Sequence, residues 1–350
     1  MPLARPLMLP QVSVMVPCRN EGRFIAACLE SILDNGYPGD RLEVLVVDGM
    51  STDDSRRQIE SFAARFPNVR LIANERRITP AALNLAIHAS SGAYLLWMSA
   101  HSSYEPGYIQ RCVEHAEMFR ADNTGGAIVT VPRDDTFAAP YIVAALTSRF
   151  GVGDARFRFT SGEPRWTDTV FGGCYRRDVF ERIGVFNEAL VRGQDIEFNL
   201  RLRRAGLRTL LVPTIHSIYY ARTRVSEFAH HNWTNGVWAI LPWLHVSHRP
   251  VAWRHLVPLA FVAAITIALG VAVSVRGGWW LLALIGTAYL VAAGAASLNV
   301  ARRHGDWSYA ILMPPTFLLL HLSYGFGSLW GVLRLAGGLS RAVLRVKTAA

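Results

Sequence analysis

Val12-Ser13-Val14-Met15-Val16-Pro17-Cys18-Arg19-Asn20-Glu21 is the stretch on which the fold turns. Its β-branched run predicts a strand over Val12–Val16. Pro17 then ends regular pairing, and Asn20 or Glu21 suits the cap of a helix predicted over Phe24–Leu33. Outward from there the same alternation repeats: strands over Glu43–Val47, Val69–Ala73 and Tyr94–Met98, helices over Ser55–Phe66, Pro80–Ala89 and Gly107–Phe119. Such a rhythm implies an α/β fold, a mainly parallel sheet covered by helices, with ligands at the carboxyl ends of the strands. A dinucleotide site would need G-x-G-x-x-G after the first strand, and the loop at Pro17–Glu21 has no glycine.

The strand ends carry the chemistry. The second runs Val46-Val47-Asp48-Gly49-Met50-Ser51-Thr52-Asp53 and the fourth Leu96-Trp97-Met98-Ser99-Ala100-His101. Asp48 can accept from the donors of a base or sugar edge, or serve only a turn. Further on, Gly193-Gln194-Asp195-Ile196-Glu197 opens an amphipathic helix, so Asp195 reads either as an N-cap or as a carboxylate projecting into a cleft. Cys18, Cys28, Cys112 and Cys174 form no C-x-x-C pair, which argues against a structural metal and suits a reducing cytosol. Met1–Pro10 has no apolar core of signal-peptide length, so the first domain is expected to stay in the cytosol.

With 51% hydrophobic and 18% charged residues and a mean hydropathy of +0.21, the 350-residue chain is too apolar to be disordered. From Val246 onward nine Arg or Lys face one acid, Asp306, so +8 of the net +10 lies there. These cations flank apolar runs, as membrane anchors do, and nucleic acid is not an expected partner. Leu256–Val275, Trp279–Val300 and Tyr309–Leu333 carry no charge except in the flanks and approach the ~20 residues that cross a bilayer. Pro314-Pro315 leaves the third open to being kinked or re-entrant. Three crossings from a cytosolic domain would also place Arg341, Arg345 and Lys347 outside, against the positive-inside preference. The tail Val332–Val346 has the spacing of a helix lying along a membrane surface. Phe228–Val246, rich in Trp, reads as an interfacial helix or as one packed on the soluble domain. The domains expected are thus 1–227 (cytosolic catalytic), 228–254 (interfacial linker), 255–335 (transmembrane) and 336–350 (basic tail).

Taken together and in order, these stretches over about Gln11–Arg222 resemble the family 2 glycosyltransferases, whose nucleotide-sugar-binding fold is called GT-A. VPCRNE stands for the family's V-P-x-x-N-E, VVDGMSTD for V-D-D-G-S-T-D, Ser99-Ala100-His101 for the metal-associated D-x-D, and GQDIEFNLRLRRAG for the helix of the catalytic base. Within the family the chain looks most like membrane-bound succinoglycan-type glucosyltransferases. The resemblance implies that Asp195 is the base, that Pro17, Arg19, Glu21, Asp48 and Ser99 bind the donor, and that His101 meets a divalent metal. Imidazole with few carboxylates favours Mn²⁺ over Mg²⁺. Gln194, Asp168, Arg222, Arg224, Trp233 and Trp238 would lie on the acceptor or diphosphate side. His230–Trp238 lacks the Q-x-x-R-W of processive members, which lowers the polymerase reading.

The activity so implied is inverting transfer of a sugar, a UDP-hexose being the expected donor, to a lipid-linked acceptor in polysaccharide or glycolipid biosynthesis. It would take place on the cytosolic side of the inner membrane. A polyprenyl-phosphate sugar synthase and a catalytically degenerate membrane scaffold are the alternatives.

Overall fold

The computed structural model describes residues 9–244, 246 and 251–348, with side chains as far as Gly337. The chain order begins β1 (Val12–Cys18), α1 (Ile25–Leu33), β2 (Leu42–Asp48), α2 (Ser55–Arg65), β3 (Val69–Ala73), α3 (Thr79–Ala89), β4 (Tyr94–Trp97), β5 (Ser102–Tyr104) and α4 (Tyr108–Phe119). It continues through β6 (Asn123–Pro132), α5 (Ala139–Leu146), α6 (Arg149–Val152), β7 (Arg165–Thr167), β8 (Gly173–Arg176), α7 (Arg177–Ile183), α8 (Gln194–Arg204) and β9 (Thr209–Ala221). Last come α9 (Val225–Ile240), α10 (Val257–Ser274), α11 (Trp279–His304) and α12 (Ser308–Thr348).

Among the described residues the strands form one sheet in the order β3-β2-β1-β4-β8-β6-β9-β5, with β7 beside β9. β1 is central, pairing in parallel with β2 (Val12 opposite Leu42) and β4 (Val12 opposite Tyr94). A strand covered on both faces reads as an unbroken apolar run, which is why Val12–Val16 carries no polar alternation beyond Ser13. Val14 and Val16 point into a core with Ile25, Leu29, Ile59 and Ile109. Met15 points the other way, toward Leu83, Phe198 and Leu202.

The expected α/β sheet is therefore present, with one qualification. Among the described pairings β3–β2, β2–β1 and β1–β4 are parallel, whereas β8 pairs antiparallel with β4, β6 with β8, and both β5 and β7 with β9.

The chain divides into two compact units: up to Val129 with Arg156–Tyr220, and Thr130–Ala155 with the chain from Ala221 onward. Neither is contiguous, unlike the division read from the sequence. The reason is the segment carrying α5. Its Tyr141, Ile142, Ala144 and Ala145 share a core with Ala293 and Ala301 of α11 and Met313, Phe317 and Leu320 of α12. The Tyr141 hydroxyl donates to Ser308 at 3.1 Å. His321 is fully engaged within this unit, with Nδ1 2.9 Å from the Tyr289 hydroxyl and Nε2 3.0 Å from the Phe150 carbonyl.

Among the described residues three helical segments are long and apolar enough to cross a membrane: Trp253–Ser274, Trp279–His304 and Ser308–Gly337. The third is one continuous helix. α12 continues across Pro314 and Pro315, its flanking Met313 and Phe317 fully buried in the shared core. The backbone stays helical through Thr348, so the tail continues α12 as one helix; the side chains of Arg341, Arg345 and Lys347 lie outside the described residues. Within the Phe228–Val246 stretch, the described helix is α9. α9 packs along α12 at backbone contact: a Cβ on Gly236 would stand 2.0 Å from the Tyr324 carbonyl oxygen, and one on Gly327 2.1 Å from that of Trp233. Small residues permit such close approach where apolar solvent supplies no hydrophobic drive.

Gly327→Leu is therefore expected to destabilise the second unit by about 1–3 kcal/mol, the usual cost of overpacking. Gly270→Leu, where nothing lies within 4 Å of an added Cβ, should not lower stability. Thermal unfolding of the detergent-purified chain compares the two.

Candidate active site

Two loops meet at the carboxyl ends of β1 and β2. The Asn20 amide donates to Ser51 Oγ (2.9 Å), the Thr52 amide to Asn20 Oδ1 (2.8 Å), the Glu21 amide to Ser55 Oγ (2.8 Å) and the Gly22 amide to Asp53 Oδ2 (3.0 Å). Asn20 and Met50 both adopt left-handed backbone conformations (φ 54° and 58°) to make these bonds. Burial opposes ionisation of Asp53, but donation from Ser55 and from the Gly22 amide holds its carboxyl below the usual range. Neither Asn20 nor Glu21 caps α1, whose N-cap is Phe24. Their side chains are thereby released for other work.

Asp48 ends β2 with its side chain fully buried. Oδ1 accepts from the Ser51 amide at 3.1 Å, and Oδ2 lies 3.4 Å from the Arg56 guanidinium. Beside it the Asn74 amide donates to the Asp48 carbonyl (2.8 Å), and Asn74 Oδ1 is buried with no hydrogen-bond partner. Arg19 drapes its stem over Gly49 and donates to the Arg77 carbonyl at 3.4 Å, with Pro17 half-buried behind it. Cys18 is not a nucleophile here: burial, then the carboxylates of Glu21 and Asp48, push its thiol up to about 12.

The second cluster joins residues far apart in the chain. His101 Nδ1 stands 3.1 Å from Glu21 Oε1, and Ser99 Oγ lies 3.3 Å from the imidazole. Glu21 Oε2 is buried with no hydrogen-bond partner. Tyr219 meets the His101 ring edge-on at 5.6 Å, because the β5–β9 register sets Ser102 opposite Tyr219. Around the same tyrosine lie Phe171, at 5.7 Å between rings, and the Arg158 guanidinium, 5.9 Å from the ring centre.

Asp195 is not an N-cap. Gly193, at φ +74°, occupies that position and turns the chain so that Gln194 and Asp195 fall in the first turn of α8. Burial pushes the Asp195 carboxyl above the usual range, against the backbone N–H groups of Ile196 and Asp195 that favour its ionised form. Gln194 Oε1 is a further buried acceptor with no hydrogen-bond partner. Asp168 lines a separate shallow pocket of about 140 Å³ with Trp166, Asn199 and Arg203. Arg222, Arg224, Trp233 and Trp238 belong to the second compact unit, where Arg224 lies 3.8 Å from Asp134 and Trp233 is partly exposed.

Asp48, Glu21, Ser99 and His101, singled out in the sequence, come to the carboxyl ends of neighbouring strands; Asn74, Arg158 and Tyr219 beside them were not singled out. Asn74 follows a parallel strand and was open to the strand-end rule. Arg158 and Tyr219 had no sequence signal, since only β9 pairing brings the tyrosine to His101.

The family model described as "Glycosyl transferase family 2" matches residues 13–184. The chain carries a glycosyl transferase family 2 domain. The succinoglycan biosynthesis protein ExoA of Rhizobium meliloti is 27% identical over 84% of this chain and 93% of its own length. The dolichyl N-acetyl-alpha-D-glucosaminyl phosphate 3-beta-D-2,3-diacetamido-2,3-dideoxy-beta-D-glucuronosyltransferase of Methanococcus voltae is 27% identical over 62% of this chain and 69% of its own. Among solved structures, the mannosyltransferase PcManGT of Pyrobaculum calidifontis, in complex with GDP-Man and Mn²⁺, superposes with a TM-score of 0.57. That match has 21% identity and covers 93% of this chain and 88% of the other. It shows the GT-A fold, and with the family match it makes this chain a glycosyltransferase. The family match includes Glu21, Asp48, Ser99 and His101 and ends before Asp195.

Because Asp53 ties the two loops together, Asp53→Ala is expected to lower stability by about 1 kcal/mol. The sign follows from its lowered pKa: the contribution is present above the ordinary aspartate range and lost as pH falls through the folded value. Denaturant titrations of both proteins at neutral and acid pH test this.

Proposed function

We propose that the chain is a membrane-anchored inverting glycosyltransferase that moves a hexose from a nucleotide donor, UDP-hexose being the expected one, to a lipid-linked acceptor. The observation that carries this reading is the Glu21–His101–Ser99 cluster at the carboxyl ends of parallel strands, alongside buried Asp48. Asp48 and Asn74 offer acceptors to the base or ribose, and Arg19 and Pro17 wall the same end. The Methanococcus voltae relative, named for a dolichyl-linked acceptor, supports a lipid-linked one here. The three apolar helices supply the anchor, and a catalytic domain on the cytosolic side of the inner membrane fits the charge and cysteine pattern.

Asp195 is proposed as the base. It takes the proton of the acceptor hydroxyl as that oxygen bonds to the anomeric carbon. The bond from that carbon to the diphosphate breaks, and its electron pair leaves with the phosphate oxygen. A single displacement inverts the anomeric centre. Gln194, next in the turn, has an acceptor oxygen free to hold a sugar or acceptor hydroxyl.

A divalent metal fits this site only in part. Among the described residues no group of three or more His, Cys, Asp or Glu side chains gathers to hold one. Glu21 Oε2, without a hydrogen-bond partner, and the His101 imidazole nonetheless form an oxygen–nitrogen donor pair, which suits Mn²⁺ better than Mg²⁺. Such an ion would take its remaining ligands from the diphosphate and water, and would supply charge neutralisation to the leaving group.

Asp195→Asn is expected to cut transfer about 100-fold or more while nucleotide-sugar affinity is kept. In the wild type, activity should be present above the raised Asp195 pKa and fall as acidification protonates the base, with the acid limb above the ordinary aspartate range. Turnover of a nucleotide-sugar panel with lipid-linked acceptors, followed by mass spectrometry of product, measures both. An acid-labile sugar phosphate as sole product would instead support the polyprenyl-phosphate synthase, and no turnover by folded protein the scaffold.

His101→Ala should lose most activity and weaken Mn²⁺ binding, read by the spin-resonance signal of Mn²⁺ in the presence of UDP. Full activity in excess chelator would remove the metal from this reading.

A further inference from the structure

We propose that Arg158 is a binding residue for the departing end of the donor, a permanent cation aimed at its terminal, sugar-bearing phosphate. This rests on the nucleotide-sugar reading of the site and adds to it a residue outside every motif above.

Arg158 lies in a short 3₁₀ turn, Arg156–Arg158, between α6 and β7, about sixty residues from the nearest strand-end motif. Its guanidinium is 5.9 Å from the centre of the Tyr219 ring and 5.6 Å from that of Phe157. Tyr219 in turn stands edge-on to His101 at 5.6 Å, and His101 contacts Glu21 and Ser99. One aromatic ring therefore separates a guanidinium from the group that occupies the last position of the D-x-D-like motif. Burial lowers the Arg158 pKa and the Tyr219 hydroxyl works the other way, yet a guanidinium keeps its proton across the working pH range. In such a partly desolvated place its charge acts more strongly than at the surface.

Chemistry gives this position a task. As the bond between the anomeric carbon and the phosphate oxygen breaks, that oxygen keeps the electron pair and gains negative charge. A planar guanidinium donates two parallel hydrogen bonds to phosphate oxygens. The motif that would carry two acids reads Ser99-Ala100-His101, so position 99 brings no carboxylate to compete with a phosphate for a cation. Phe157 and Tyr219 flank the guanidinium at cation–π distance and limit the conformational cost of the bonds.

The discriminating probe is a pair of nucleotides differing by one phosphate. Binding of UDP and UMP, and in parallel of GDP and GMP, is measured by calorimetry on the full-length chain in detergent with Mn²⁺ present. The variant is Arg158→Met, which keeps an unbranched stem against both rings. Loss of a charge-assisted hydrogen bond predicts diphosphate affinity about tenfold to a hundredfold lower, with monophosphate affinity unchanged. Arg158→Lys should restore part of the loss, and Arg158→Gln repeats the comparison if the Met variant does not fold. Equal weakening of mono- and diphosphate, or undiminished diphosphate binding by a folded variant, overturns the proposal and leaves Arg158 as a packing residue. If wild-type protein prefers neither diphosphate over its monophosphate, the donor reading itself falls, and this assignment with it.

Discussion

The hydrogen-bonded seam between the β1–α1 and β2–α2 loops is the constraint on which the site depends. Four backbone amides, of Asn20, Glu21, Gly22 and Thr52, are bound by side chains of the facing loop. A loop at the end of a buried parallel strand must place its N–H groups somewhere, and helix capping is the ordinary solution. Here the opposite loop does that work. With its amide satisfied by Ser55, Glu21 turns its carboxylate to His101, and with Ser51 held by Asp48 the buried aspartate is fixed at the rim. The strain of two left-handed non-glycine residues, Asn20 and Met50, is the conformational cost of that arrangement.

How much of this was legible in the sequence follows from the range over which each signal acts. Strand β1 and its neighbours were readable because a strand buried on both faces must be apolar throughout, a local property. Asp48, Glu21, Ser99 and His101 were readable because motif spacing at strand ends is local too. The antiparallel half was not, since strand direction beyond β4 depends on which edge the chain returns to. Tyr219 is the sharpest case. It is an ordinary aromatic in a long strand, and only its place opposite Ser102 brings it to His101. Asp195 read equally as a cap in the sequence, and only the structure puts Gly193 in the capping position instead.

The helical part was less legible for a different reason. Composition detects segments that can enter a membrane but does not say which of them touch one another. The Trp-rich α9 has the amphipathic look of an interfacial helix, yet Gly236 and Gly327 bring its backbone against α12. The α5 segment carries no long apolar run, yet Tyr141, Ile142 and Ala145 are core residues of the same unit. In each case a small residue or a tyrosine does what a longer hydrophobic signal would have announced. The third apolar helix survives its prolines because packing on both sides of Pro314-Pro315 fixes the segment, a tertiary effect that propensity omits.

Charge around the leaving group links these observations. Two like charges about 4 Å apart repel by roughly 4 kcal/mol in a partly buried site. A carboxylate at position 99 would therefore oppose the charge growing on a departing diphosphate unless a metal ion stood between them. In the proposed reaction Ser99 would avoid that repulsion while keeping a hydroxyl for hydrogen bonding. Glu21, drawn toward His101 by the loop seam, returns one carboxylate at a different angle. The seam thus bears on the charge of the site as well as its shape, because the Ser55 bond to the Glu21 amide holds that carboxylate beside His101.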